Sequence, residues 1–390
     1  MNYILFDGNR RNHLLPLTFT RPVADIRFGI LTIREKWEKY LGKTSTITED
    51  YLSAKFPSIF SADNILINSS VCPDKDLVEK IKELKTGEAL VTENIVIALA
   101  APAHKAETFK EFDADCYVKH NYTAKFLQVN TLWDIFQKNG EAIEADFKLL
   151  TNGKKTAKIS SSNTLINPEN IFLEEGAKVE ASIINASGGP VYIGKDAEVM
   201  EGCLIRGPFA LCEHSTLKMG AKIYGATTIG PHSKVGGEVN NSVIFGYSNK
   251  AHDGFLGNAV IGEWCNLGAD TNNSNLKNNY AEVKLWSYAE NTFVNTGTQF
   301  CGLIMGDHSK CGINTMFNTG TIVGLSCNIY GAGFPRNFIP SFSWGGPGGF
   351  MIYSLEKALE TAKLVMERRH IELTKEDEKI FEHIFNLKTK

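Results

Sequence analysis

From Ile193 onward an aliphatic residue falls at every sixth position: Ile193, Val199, Ile205, Leu211, Leu217, Ile223, Ile229 and Val235. A helix face repeats about every 3.6 residues and a hairpin meander shows turn signals about every 8 to 12, so neither fits. A short strand followed by a tight corner does. Four residues after each aliphatic comes a mostly small side chain: Ala197, Cys203, Phe209, Ser215, Ala221, Thr227, Ser233 and Val239, with Phe209 the large exception. The aliphatic residue points into a narrow prism, and the small partner leaves room for the facing walls, so stacked coils share one core. Upstream the spacing reads through Ile159, Leu165, Ile171, Ala177 and Ile183, with a phase slip at residues 187–190; downstream it returns at Met305, Cys311, Phe317, Val323 and Ile329. Gly194, Gly230, Gly236 and Gly262 directly follow core aliphatics and read as corners that need positive φ. The pattern predicts a parallel β-helix over residues 159–345.

The first 150 residues read differently. Short apolar runs at Tyr3–Phe6, Ile65–Asn68 and Ile95–Ala100 are of strand type, whereas Asp76–Lys85 and Thr131–Gly140 have helical periodicity. This alternation predicts an α/β domain over 1–150, joined by a polar linker at 151–158. Residues 346–390 carry two amphipathic helical patterns after a Gly-rich stretch. With 41 Lys plus Arg against 44 Asp plus Glu, the chain has no excess of positive charge for nucleic acid. The run Ile95–Ala101 stops at Pro102, far short of the ~20 residues of a membrane span. The first residues lack the long apolar run of a signal peptide, so a soluble, cytoplasmic protein is expected. Eight Cys without a C-x-x-C read as core residues rather than a disulfide frame or a metal site.

The hexad pattern resembles that of the hexapeptide-repeat family, whose members are left-handed β-helices and commonly trimeric acyltransferases. With three hexads per turn the resemblance implies roughly eight to ten coils. It becomes specific over residues 248–286, where Lys250-Ala251-His252, Phe255 to Ala259, Ile261-Gly262 and Asn266 to Thr271 are similar to the acetyltransferase half of the GlmU family. Carried over by position, the resemblance makes His252 the general base, an imidazole being a group suited to deprotonating an amine. It makes the backbone N–H of Ala269 the donor to the thioester oxyanion. Asn275 matches a sugar-contacting residue, and Thr296 and Arg336 match residues near coenzyme A. The family's active-site Tyr is Phe255 here, its phosphate-binding Arg falls opposite Gly236 and a nearby Lys opposite Asn240. The substrate clamp is therefore expected to be rebuilt around Lys234 and Lys250. His214, His232 and His308 fall at hexad corners and read as surface residues.

The N-terminal strand runs into Asp7-Gly8-Asn9-Arg10-Arg11, followed by Leu15-Pro16-Leu17-Thr18 and Arg21-Pro22-Val23-Ala24. This skeleton resembles that of sugar-nucleotide pyrophosphorylases, whose glycine loop cradles nucleotide phosphates. The resemblance points to Gly8, Arg10, Arg11 and Arg21 as nucleotide-binding residues. The second loop glycine is missing, Val23 replaces the phosphate-binding Lys, and Ser69-Ser70 stands where a metal-binding Gly-Asp is expected. No metal ligand is assigned, and Mg²⁺ follows only if this domain is active.

The expected activity is acetyl-CoA-dependent N-acetylation of an amino-sugar phosphate by a homotrimer, with a divergent nucleotidyltransferase domain in front. Two alternatives stand beside it: a catalytically silent sugar-nucleotide sensor or scaffold, and a pyrophosphorylase whose β-helix serves only assembly.

Overall fold

The computed structural model describes residues 1–93, 95–110 and 113–388. The chain divides into two compact units, one of Met1–Leu14, Thr20–Ile26 and Leu31–Thr131, the other of Leu15–Phe19, Arg27–Ile30 and Leu132–Lys390.

The first unit holds a six-stranded sheet in the order Ser45–Ile47, Asn2–Phe6, Asp63–Asn68, Val96–Pro102, Glu88–Val91 and Val118–Asn121. Asn2–Phe6 is parallel to both its neighbours. The segments leaving these three strands, at Asp7, Thr48 and Ser69, therefore emerge at one edge. The Asp7 N–H bonds the Ile47 carbonyl (3.0 Å) and the Ser69 N–H bonds the Phe6 carbonyl (2.9 Å). The first strand lies between the second and third, which is the point where open α/β sheets form a crevice. The helix Ile33–Leu41 starts at a capping box of Thr32 and Glu35 and buries Trp37, whose indole N–H donates to the Val71 carbonyl (2.8 Å).

The second unit is built on a parallel β-helix with walls of six, nine and ten strands. Register runs from coil to coil without drift, as in Leu211↔Ile229↔Ile244↔Ile261↔Met305 along the nine-strand wall. All eight hexad aliphatics from Ile193 to Val235 are at most 2% exposed, and their small partners are equally buried, Phe209 included. Met305, Cys311, Phe317, Val323 and Ile329 join the same core. An antiparallel hairpin, Lys284–Ser287 with Thr292–Asn295, interrupts the coils. The helices Leu355–Glu367 and Lys375–Lys388 follow the last coil.

Three details differ from expectation. Upstream of Ile193 the positions in register with the hexad aliphatics are Leu165, Leu173, Val179 and Ile184, so the phase read through Ile171, Ala177 and Ile183 is displaced: Ile171 is in the core at the partner position and Ala177 packs against that core, whereas Ile183 is 43% exposed. Coils of unequal length permit such slips because only the stacking between coils, not the spacing along the chain, sets the register. Second, Gly194, Gly230, Gly236 and Gly262 do not sit at positive φ; a Cβ on them would approach backbone atoms of the next coil to 2.6–2.9 Å, so absence of a side chain is what matters there. The left-handed residues are instead Asp196, His214, His232, Tyr247, Trp264 and His308, with φ between 54° and 61°. Third, the helices Leu132–Gln137 and Asn139–Thr151 belong to the second unit: the buried Asn139 amide donates to the Ala226 carbonyl (3.0 Å) and the Thr228 hydroxyl (3.1 Å).

Candidate functional site

The His252 corner lies between the strands Asn249–Lys250 and Phe255–Gly257. Its position follows from the ladder. Asn249 pairs with Asn266 one coil on, so His252 and Ala269 occupy equivalent corners of successive coils, and the Asp270 N–H donates to the Asp253 carbonyl (3.0 Å) to hold the two together. Adjacent strands lie about 4.8 Å apart, which brings an exposed imidazole and the Ala269 amide within one coil of each other. The Ala269 carbonyl accepts from the Asn314 N–H (2.8 Å), while the Ala269 N–H bonds no protein acceptor among the described residues. A strand ladder leaves corner amides over in this way, and an unengaged N–H is what an oxyanion donor must be.

Lys250 is a correction. It takes the inward position that Val235 and Leu267 hold in neighbouring coils, is 3% exposed, and donates to the Gly236 (3.0 Å) and His252 (2.6 Å) carbonyls. Burial pushes its ammonium down to about 8. A lysine spent on two carbonyls inside the prism does not grip a substrate; it braces the backbone of His252. Lys234, by contrast, projects from the ten-strand wall and lines a cavity there.

The remaining assignments separate in the same manner. The Asn275 amide donates to Asn258 Oδ1 (2.7 Å), making it a rung between coils. The Thr296 hydroxyl is buried and donates to the Val283 carbonyl (2.8 Å) beside the inserted hairpin, so the expected coenzyme contact is corrected to a structural one. Arg336 is exposed on the last coil with its guanidinium 5.5 Å from the Phe350 ring centroid. The corner histidines are not independent surface groups: His214, His232, Tyr247, Trp264 and His308 stack in one column with centroids 4.3–6.0 Å apart, and His308 is only 7% exposed. The recurrence of rings at one corner of successive hexads is the sequence signal for this column.

In the first unit the loop after Asn2–Phe6 is closed on itself. Asp7 accepts from the Val23 N–H (2.8 Å) and the Thr48 hydroxyl (2.7 Å) and pairs with Arg11 (3.2 Å), whose guanidinium also donates to Tyr51 (2.8 Å). Burial lifts the Asp7 carboxyl to about 6 against the pull of Arg11 and these hydrogen bonds. The expectation of Arg11 as a phosphate ligand is thereby corrected: it is about 5% exposed and its charge is matched by Asp7, while Arg21 is buried to the same degree. Arg10 and Gly8 remain towards solvent. Asp7 was missed because a lone acid before a glycine has no pattern of its own. The residues do not fit Mg²⁺: the loop carboxylate is already engaged, and Ser70 and Asn68 bond each other. Among the described residues no group of three or more His, Cys, Asp or Glu could hold a metal ion, and no helix is long and apolar enough to cross a membrane.

Residues 3–155 match the family described as sugar nucleotidyl transferase. A bifunctional sugar-1-phosphate nucleotidylyltransferase/acetyltransferase of Sulfurisphaera tokodaii is 29% identical over 144 residues, covering 36% of this chain and 35% of that protein. A bifunctional protein GlmU of Methanocaldococcus jannaschii is 34% identical over 92 residues, covering 24% and 22%. The matched segments thus span about a third or less of the length of these two curated relatives. Among solved structures, the Francisella novicida UDP-N-acetylglucosamine acyltransferase is 15% identical over 57% of this chain and 76% of that one, with a TM-score of 0.32.

Proposed function

We propose, from the premise that this is a GlmU-like chain, that its β-helix transfers an acetyl group from acetyl-CoA to the amine of an amino-sugar phosphate. One observation carries the reading: His252 and the unengaged Ala269 N–H stand at equivalent corners of adjacent coils. In the reaction the acceptor nitrogen attacks the thioester carbonyl carbon as His252 takes its proton, and the negative oxygen that forms points at the Ala269 N–H. Collapse of the intermediate breaks the C–S bond, and the departing thiolate recovers the proton from His252. Lys250 acts through the backbone, keeping the His252 carbonyl, and with it the corner, in place. Trimeric assembly and the sugar identity belong to this reading. His252→Ala is expected to lower CoA release with an amino-sugar phosphate by about 10²–10⁴-fold; unchanged turnover in that variant would end the proposal.

The match of residues 3–155 favours a second, N-terminal activity on a sugar 1-phosphate and a nucleotide. The crevice beside Gly8 and Arg10 is its site, and pyrophosphate release from UTP and a sugar 1-phosphate is its test. A sensor without turnover would bind the sugar nucleotide and release neither product.

A further inference from the structure

The outer face of the ten-strand wall presents a column of polar residues, each preceding an inward one: Lys234, Asn249, Asn266 and Lys310. Over it lies the end of the helix Leu355–Glu367, followed by Arg368 and Arg369. Between them is a cavity of about 600 Å³, lined by these six residues together with Ala251, Val365 and the edges of Tyr247 and Trp264. Four cations converge on it and no carboxylate lines it; Glu213 and Glu263 stand near the Tyr247 rung, outside the lining. Such a concentration of positive charge is self-repelling without an anion to balance it. Asn249 Oδ1 is buried with no hydrogen-bond partner among the described residues, an acceptor left for a ligand hydroxyl.

We infer that this cavity binds a phosphate-rich ligand of nucleotide size, its phosphates held by Lys234, Lys310, Arg368 and Arg369. Arginine pairs grip phosphate bidentately, and the two lysines add point charges from the wall. The Tyr247 and Trp264 faces are occupied by each other at 4.3 Å, so a base would meet ring edges and recognition is led by charge. Burial holds Lys310 down to about 8, which leaves it mainly an ammonium at neutral pH, and it donates to the His308 carbonyl (2.8 Å). Ala251 lines the cavity one residue before His252, so the ligand lies alongside the proposed acetyl-transfer corner. Two sources share this chemistry: the phosphorylated adenosine end of the acyl carrier and a nucleoside diphosphate sugar.

The test is calorimetry on the full chain with 3′-phosphoadenosine 5′-phosphate and with UDP, using sulfate as the competing small anion. The Arg368→Ala/Arg369→Ala double variant and, separately, the exposed-site variant Lys234→Ala are each expected to weaken one binding equivalent, by about tenfold or more in the double variant, with the melting temperature retained. An effect on the adenosine probe alone assigns the carrier, an effect on UDP alone assigns the sugar nucleotide, and an effect on both marks charge-led recognition. No binding of either probe, equal displacement by sulfate, or affinities untouched in both variants would overturn the site. Binding needs no turnover, so His252→Ala protein should bind as the unsubstituted chain does. A failure of acetyl transfer with binding intact would strike only the catalytic reading.

Discussion

The glycine loop of the α/β unit and the His252 corner of the β-helix both look, by resemblance, like places where chemistry happens, yet their polar groups are in opposite states. In the loop, Asp7 already has Arg11, Thr48 and the Val23 N–H, and Arg11 has Tyr51 as well. At the corner, the Ala269 N–H has no protein acceptor among the described residues and the imidazole faces solvent. A phosphate cradle needs donors that are oriented but unspent. The loop has turned its strongest donor into a structural ion pair, whereas strand stacking leaves the corner donors over at no extra cost. The difference teaches that a motif's skeleton and its chemical availability are separate properties.

The largest effect expected from breaking this comparison is in the prism. Ile205→Asp would put an unpaired carboxylate among residues that are at most 5% exposed, costing several kcal/mol against a domain stability of about 5–15 kcal/mol. Loss of soluble, folded protein is expected, and a soluble variant with normal activity would overturn the register. Next comes the loop. Arg11→Ala strands Asp7, and at pH 7 we expect a loss of about 3–5 kcal/mol in denaturant unfolding. The folded Asp7 carboxyl, at about 6, is raised above its ordinary value. Its favourable contribution is therefore present at low pH and fades as pH climbs from about 4 to 6. Arg11→Ala should accordingly cost less at pH 5, where protonated Asp7 needs no partner; an equal loss at both pH values would mean that Arg11 acts by packing alone.

The smallest effect sharpens the other side. Lys250 has a folded pKa lowered to about 8, so its contribution is present at high pH and is lost as pH falls from about 10.5 towards 8. Lys310 shifts in the same direction, also to about 8. Lys250→Met should remove part of the pH slope between 8 and 10.5 and leave neutral-pH stability within about 1–2 kcal/mol of the parent. Acetyl transfer should nevertheless fall about tenfold through kcat as the His252 corner loosens. Undiminished kcat would show that the ladder alone positions the corner.

Much of the β-helix was readable because its repeat is local. An inward residue every six positions is written directly in the chain, and Ile193 through Val235 and Met305 through Ile329 are buried as the spacing requires. The upstream phase was not, since coils of unequal length move the inward position from Ile183 to Ile184 without any local mark. Lys250 shows the same limit from the other side: a lysine reads as an outward residue until the ladder places it between Val235 and Leu267.

The sequence by itself determined the coil repeat, the two-part organisation and the corner that carries His252, because each depends on spacing within a few residues. Only the tertiary structure decided which polar groups are spent. Asp7 meets Thr48, Asn275 meets Asn258, and Lys234 shares a cavity with Arg369 across well over a hundred residues of chain. Hydrogen bonds and ion pairs form between atoms a few ångströms apart regardless of separation in sequence, so availability for chemistry is settled by packing and not by pattern.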